Sequence, residues 1–111
     1  MVAVIIEGRL TRDVEVKALS KEGKDFKVAT LTVASSLKIG ANERTTYIDV
    51  EVWNGVAEKC GKYLKKGSHI LVRGDLTTRD YEKDGQKRVV YFVTNADVTF
   101  LDSKPKDEQT A

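Results

Sequence analysis

The residues with the most chemical reach in this 111-residue chain lie in the stretch Tyr47-Ile-Asp-Val-Glu-Val-Trp53. Side chains of a strand alternate between its two faces, so Ile48, Val50 and Val52 share one face. Tyr47, Asp49, Glu51 and Trp53 share the other. The β-branched aliphatic set marks the core side, which leaves two large aromatics on a polar, solvated side. Such rings either pack under the N-terminal segment or a partner subunit, or they serve as platforms on which flat ligands stack. Nucleobases are the ligands that fit, at roughly 1–3 kcal/mol per base stacked on an aromatic ring. The stretch His69–Tyr81 carries a matching pattern. Leu71, Arg73, Asp75, Thr77, Arg79 and Tyr81 have one parity, and Ile70, Val72, Gly74 and Leu76 the other. Two arginines and a tyrosine on a sheet face could hold phosphates and bases together. Long basic stems are also ordinary decoration of any solvated sheet, so the pattern proposes nucleic-acid binding without specifying it.

Other chemistries find less support. His69 is the only histidine, beside Gly67-Ser68 at a strand start, with no second histidine and no cysteine cluster to complete a metal site. It reads as a surface or turn residue in preference to a general base. Cys60, the only cysteine, falls on the apolar stripe of a helix, where an inert core thiol is expected in place of a nucleophile. Asp49 and Glu51 are the one paired-carboxylate candidate, and next to Tyr47 and Trp53 they fit surface tuning better than hydrolysis. The expectation is a binding protein, not an enzyme, with no catalytic residues, no metal and no cofactor.

The elements that must position these residues are mostly strands. Val2–Leu10 is β-branched and apolar, interrupted at Gly8, where a bulge or bend is expected. Val14–Leu19 alternates and meets a turn containing Gly23. Phe26–Ser35 and Thr46–Trp53 read as strands separated by a polar loop with Gly40–Arg44 at its tip. One helix follows, with Asn54 as its cap and Val56, Cys60, Tyr63 and Leu64 at helical spacing. Lys65-Lys66 complement its dipole and Gly67 stops it. Ser68–Glu82 and Lys87–Leu101 are long strands joined by a hairpin in which Asp84-Gly85 suits positive φ. Three strands, a helix and two strands form the order of a five-stranded Greek-key OB barrel, an all-β fold with its helix between strands three and four. An immunoglobulin-like sandwich would want about seven strands and no such helix.

Composition agrees with one compact domain. The chain is 41% hydrophobic and 32% charged, and its net charge of +2 favours anionic partners only weakly. No apolar run approaches the roughly 20 residues a membrane span needs. The N-terminus reads as a strand, not a signal peptide. A single cysteine agrees with a reducing cytoplasm. The expected division is an OB domain over residues 1–101 and a short disordered polar tail over 102–111.

With these residues in view, the chain resembles bacterial single-stranded DNA-binding proteins. The resemblance rests on six segments in order: Ile5–Val16, Val28–Ala34, Val50–Glu58, Tyr63–Ser68, Gly74–Tyr81 and Asp84–Arg88. It spans about Val4 to Leu101, nearly the whole chain. It implies an OB fold that assembles as a homo-oligomer, usually a tetramer, and that protects single-stranded DNA in replication, recombination and repair, close to the nucleoid. Tyr47, Trp53 and Tyr81 stand where the family places stacking aromatics. Ile39 stands near a tryptophan of many relatives, which implies a weakened contact there, and Val14 replaces a common proline.

Arg9, Arg12, Lys62, Arg73, Arg79, Lys87 and Arg88 are the candidate phosphate contacts. The oligomer is expected to form through Val2–Ile6 and facing sheets. Relatives usually end in an acidic peptide finishing with proline and an aromatic, which recruits replication and repair proteins. Residues 102–111 do not match that peptide. An alternative stays open: an OB module that binds RNA or a protein, including a primosome-type relative with the same fold, since stacking alone does not separate the two nucleic acids.

Overall fold

The computed structural model describes residues 1–102, so the tail expected from residue 102 onward lies outside the described residues apart from Asp102. Six strands and one helix follow in the order β1 (Ala3–Leu10), β2 (Val16–Lys21), β3 (Lys24–Ile39), β4 (Asn42–Trp53), α1 (Asn54–Tyr63), β5 (His69–Lys83) and β6 (Gln86–Phe100). The all-β expectation with one helix holds, and the sixth strand has a simple origin. β1 and β2 both run antiparallel to β3, with Leu10 opposite Val33 and Val16 opposite Ala29. They are two halves of one long strand, broken where Thr11–Glu15 leaves the ladder. The helix therefore still falls between the third and fourth strands of a five-membered ring.

That ring runs β1-β5-β6-β4-β3 and closes through the β1–β3 pairing. All neighbours are antiparallel except β4 and β6, which run parallel at Asp49–Phe92 and Val50–Val93. Closure needs a close approach at Gly8. A Cβ there would collide with the Ala34 carbonyl and the Val33 side chain, so Gly8 marks tight packing where a bulge was expected. The register of β1 against β5 is unbroken from Ala3 to Arg9. The real irregularity lies on β6 opposite Gly74, where the register shifts between Arg73 and Asp75 and Asn95 takes φ +53°. A Cβ on Gly74 would stand 2.6 Å from the Val93 side chain and 2.9 Å from the Thr94 carbonyl.

The inner positions of the ring fill the core, with Leu31, Val33, Val50, Val52, Ile70 and Val72 almost wholly buried. α1 closes one end through Ala57, Cys60 and Leu64. Several helix expectations need correction. Trp53, not Asn54, occupies the N-cap position and makes no side-chain capping bond. Asn54 has φ +49° and spends its Oδ1 on the Lys27 amide at 3.1 Å. The helix ends at Tyr63, so Lys62 is the basic residue of its last turn and Lys65-Lys66 lie beyond it. The Leu64 amide still bonds the Cys60 carbonyl, and Gly67, at φ +90°, hands its amide to the Leu10 carbonyl. Tyr63 does not join the apolar stripe: it is 59% exposed.

Two hairpins reach past the core. β3 continues to Ile39 and β4 begins at Asn42, so the polar loop expected around Gly40–Arg44 is a tight turn on a long two-stranded arm. Thr45 and Thr46 pair with Ser36 and Ser35 along it, which β-prone threonines favour. The β5–β6 arm turns at Asp84 and Gly85, both with positive φ as their sequence predicts.

Candidate nucleic-acid interface

The outer face of β4 carries Tyr47, Asp49, Glu51 and Trp53, while Val50 and Val52 are buried beneath it. Tyr47 is 67% exposed and Trp53 39%. Cross-strand neighbours extend the face in rows, because residues directly opposite share a side of the sheet. Trp53 faces Val28 on β3, and Val28 faces Lys17 on β2. Asp49 lies between Thr32 on β3 and Phe92 on β6, and Phe92 faces Thr77 on β5. Two and four residues further along β5 come the pairs Arg79–Val90 and Tyr81–Arg88.

Polar contacts hold the centre of this face in place. The Trp53 indole Nε1–H donates to Glu51 Oε1 at 3.0 Å. The other carboxylate oxygen of Glu51 lies 3.7 Å from Arg79 Nη2. Arg79 in turn places its guanidinium carbon 4.6 Å from the centroid of the Phe92 ring. Asp49 accepts a 2.8 Å bond from the Thr32 hydroxyl. The two carboxylates therefore orient an indole edge, a guanidinium and a hydroxyl. Among the described residues no cluster of three His, Cys, Asp or Glu side chains could hold a metal ion. The Arg79–Glu51 pair is exposed on the arginine side, so it is worth only about 0–1 kcal/mol. A phosphate can replace that partner at little cost.

The sequence-predicted residues thus separate. Tyr47, Trp53, Arg79, Tyr81 and Arg88 share one continuous outer face of β4, β5 and β6. Lys87 belongs to the other side of the same arm, opposite Glu82. Arg73 precedes Arg79 by six residues, about 20 Å along the strand, between Ile5 of β1 and Asp97 of β6. Arg9 donates to the Gly67 carbonyl at 2.9 Å and lies 3.8 Å from Asp102, close to the His69–Glu7 pair. Arg12, in the gap between β1 and β2, lines a shallow recess with Lys17 and Thr30, and Thr30 is the cross-strand neighbour of Glu51. Lys62 stands 5.3 Å over the Tyr63 ring on α1. Two members of the face escaped the sequence reading. Phe92 has the outer parity of β6 but hides among apolar neighbours, and Lys17 joins the row of Trp53 only through the strand order.

A profile of the single-strand binding protein family matches residues 1–101. The chain belongs to that family. A single-stranded DNA-binding protein of Helicobacter hepaticus is 35% identical over 96% of this chain, and one of Staphylococcus aureus 38% over 94%. The chain spans 64% and 67% of the lengths of those relatives. Among solved structures, a Plasmodium falciparum SSB complex with ssDNA superposes with a TM-score of 0.81 at 24% identity, over 92% of this chain and 96% of that one. That likeness establishes the OB fold. It also accords with the ring of strands and the single helix described above.

Proposed function

We propose that this chain binds single-stranded DNA without catalysis and without strong sequence preference, shielding it during replication, recombination and repair. The observation that carries the reading is the linked set Trp53, Glu51, Arg79 and Phe92 on a continuous outer face with Tyr47 and Tyr81. Rings at these positions offer their π faces to bases, and Arg79 and Arg88 lie beside them for phosphates. Family membership and the DNA-binding relatives supply independent support. Arg9, Arg12, Lys62, Arg73 and Lys87 are proposed as outlying phosphate contacts on the path of a longer strand. The experiment is a titration of Trp53 emission with poly-dT and poly-U of equal length. Quenching by poly-dT at lower concentration supports the reading; equal or stronger binding of poly-U turns it toward RNA, and no binding of either turns it toward a protein partner.

The working unit is proposed to be a symmetric homo-oligomer, a tetramer in the cytoplasm. β1 pairs with β5 along Ala3–Arg9 but meets β3 only at Arg9 and Leu10. Among the described residues, no strand pairs with the edge of β1 that faces away from β5 between Ala3 and Glu7. Val2 and Ile5 lie exposed beside it, and Leu37, Ile39 and Tyr91 are exposed on the arms. An open edge flanked by apolar side chains is what an isologous strand pairing buries. Light scattering should report a multimer that Ile5→Glu dissociates, and a wild-type monomer at micromolar concentration would refute it.

A further inference from the structure

The C-terminal half of α1 and the turn after it carry a patch that the face described above does not use. Lys59, Lys62, Lys65 and Lys66 fall within eight residues, and no acidic residue lies between Lys59 and Gly67. The flanking acids are both engaged, one outside the patch and one at its edge. Glu58 pairs with Lys27 at 2.6 Å, and Asp13 accepts the Lys66 amide at 2.8 Å. At the centre stands Tyr63, 59% exposed although a helix this short has a core to reach. Its ring meets Phe100, the last residue of β6, with centroids 6.2 Å apart at 56°. Lys62 Nζ lies 5.3 Å from the Tyr63 centroid, and Lys59 Nζ lies 5.3 Å from that of Phe100.

Two supported rings under mobile ammonium groups form the same chemical combination as the β4–β6 face. We propose that Tyr63, backed by Phe100 and flanked by Lys59 and Lys62, is a second base-stacking site for the same DNA strand. This inference rests on the single-stranded DNA reading above and extends the path of the strand. Topology supplies the path. β4 and β6 run parallel, so Trp53 and Phe100 end their strands at the same end of the ring. α1 begins directly after Trp53 and ends at Tyr63. Ten helical residues rise about 15 Å, a length that some four or five stacked nucleotides cover at about 3.4 Å each, and fewer when extended. A base arriving on Tyr63 displaces the Lys62 ammonium from the ring, which exposed side chains allow within nanoseconds. The displaced ammonium is then free to meet the adjoining phosphate.

The test compares oligo-dT of about 5 and about 16 nucleotides, the short and long ends of what one OB domain holds. Tyr63→Ala should weaken the long oligomer at least about 5-fold, the lower bound for one lost base stack, and leave the short one unchanged. Tyr63→Phe should bind like wild type, since the ring and not the hydroxyl is used. Lys59→Gln with Lys62→Gln should reduce the magnitude of the log–log salt slope for the long oligomer by about 1.4, at about 0.7 per phosphate contact. Quenching of Trp53 reports the main face independently. Wild-type affinity of Tyr63→Ala and of the lysine pair for both lengths, with Trp53 still quenched, overturns the second site together with the Lys62 phosphate contact and leaves the Trp53 face standing. No quenching at either length in the wild type overturns both. If Tyr63→Ala destabilises the fold, the lysine pair, whose ammonium groups lie over ring faces, carries the test alone.

Discussion

Replacing Trp53 by alanine removes the ring on which the binding reading most depends, and its consequences can be bounded from the structure. The residue is 39% exposed, faces Val28 across the sheet and donates one hydrogen bond to the carboxylate of Glu51. A core tryptophan or phenylalanine costs about 3–5 kcal/mol when cut to alanine, partly through the void it leaves. At the surface that void fills with water. What remains is the covered part of the ring, a cross-strand pair worth about 0.2–1 kcal/mol and a partly solvated hydrogen bond. The expected stability loss is therefore about 1–2 kcal/mol, a fall in melting temperature of about 4–8 °C per kcal/mol. Binding should suffer by about 1–3 kcal/mol, a 5- to 150-fold weaker Kd for oligo-dT. Trp53 is the only tryptophan, so the variant is followed by anisotropy of labelled DNA and not by its own emission. Leu31→Ala is the control: it empties a site that is 1% exposed, should cost about 2–5 kcal/mol of stability and should leave the Kd of the folded protein alone. A Trp53→Ala protein that loses 3–5 kcal/mol of stability yet binds DNA as before would refute the stacking role.

Three further outcomes follow from the same contacts. Glu51→Gln keeps an acceptor for the Trp53 indole but removes the charge that competes with phosphate for Arg79, so oligo-dT binding should tighten and its salt dependence steepen; weaker binding would mean that the carboxylate is needed to hold the platform. Arg79→Ala should lower the magnitude of the log–log salt slope by about 0.7, and an unchanged slope would make Arg79 a solvated side chain. Burial pushes the Cys60 thiol up to about 11 against the opposing pull of Lys59. Both states hold the proton below the ordinary value of 9.0. Above it only the unfolded chain gives the proton up, so stability should fall between pH 9 and about 11. Cys60→Ala should lose that component of the fall in chemical denaturation, and an identical pH profile in the variant would contradict it.

Much of this protein was legible one strand at a time. The alternation of Ile48, Val50 and Val52 against Tyr47 and Trp53 is local, and the burial of the first set and exposure of the second follow from the two-residue period of a strand. Asp84-Gly85 announces its turn because few residues accept positive φ. The lengths of the arms were less legible, since threonine, serine and lysine near Gly40 read as loop until cross-strand pairing fixes them as strand. Helical spacing offered Tyr63 to the core as readily as Cys60 and passed over Ala57, and only the packing against the ring chose Ala57, Cys60 and Leu64. The neighbours of Trp53 were beyond any local pattern. Phe92 reaches the face because β6 inserts between β4 and β5, and Lys17 because β2 continues the line of β1 along β3. Sequence spacing determines which way a side chain points from its own strand. Which side chains it meets there is decided by pairing between segments tens of residues apart, and only the closed ring specifies that.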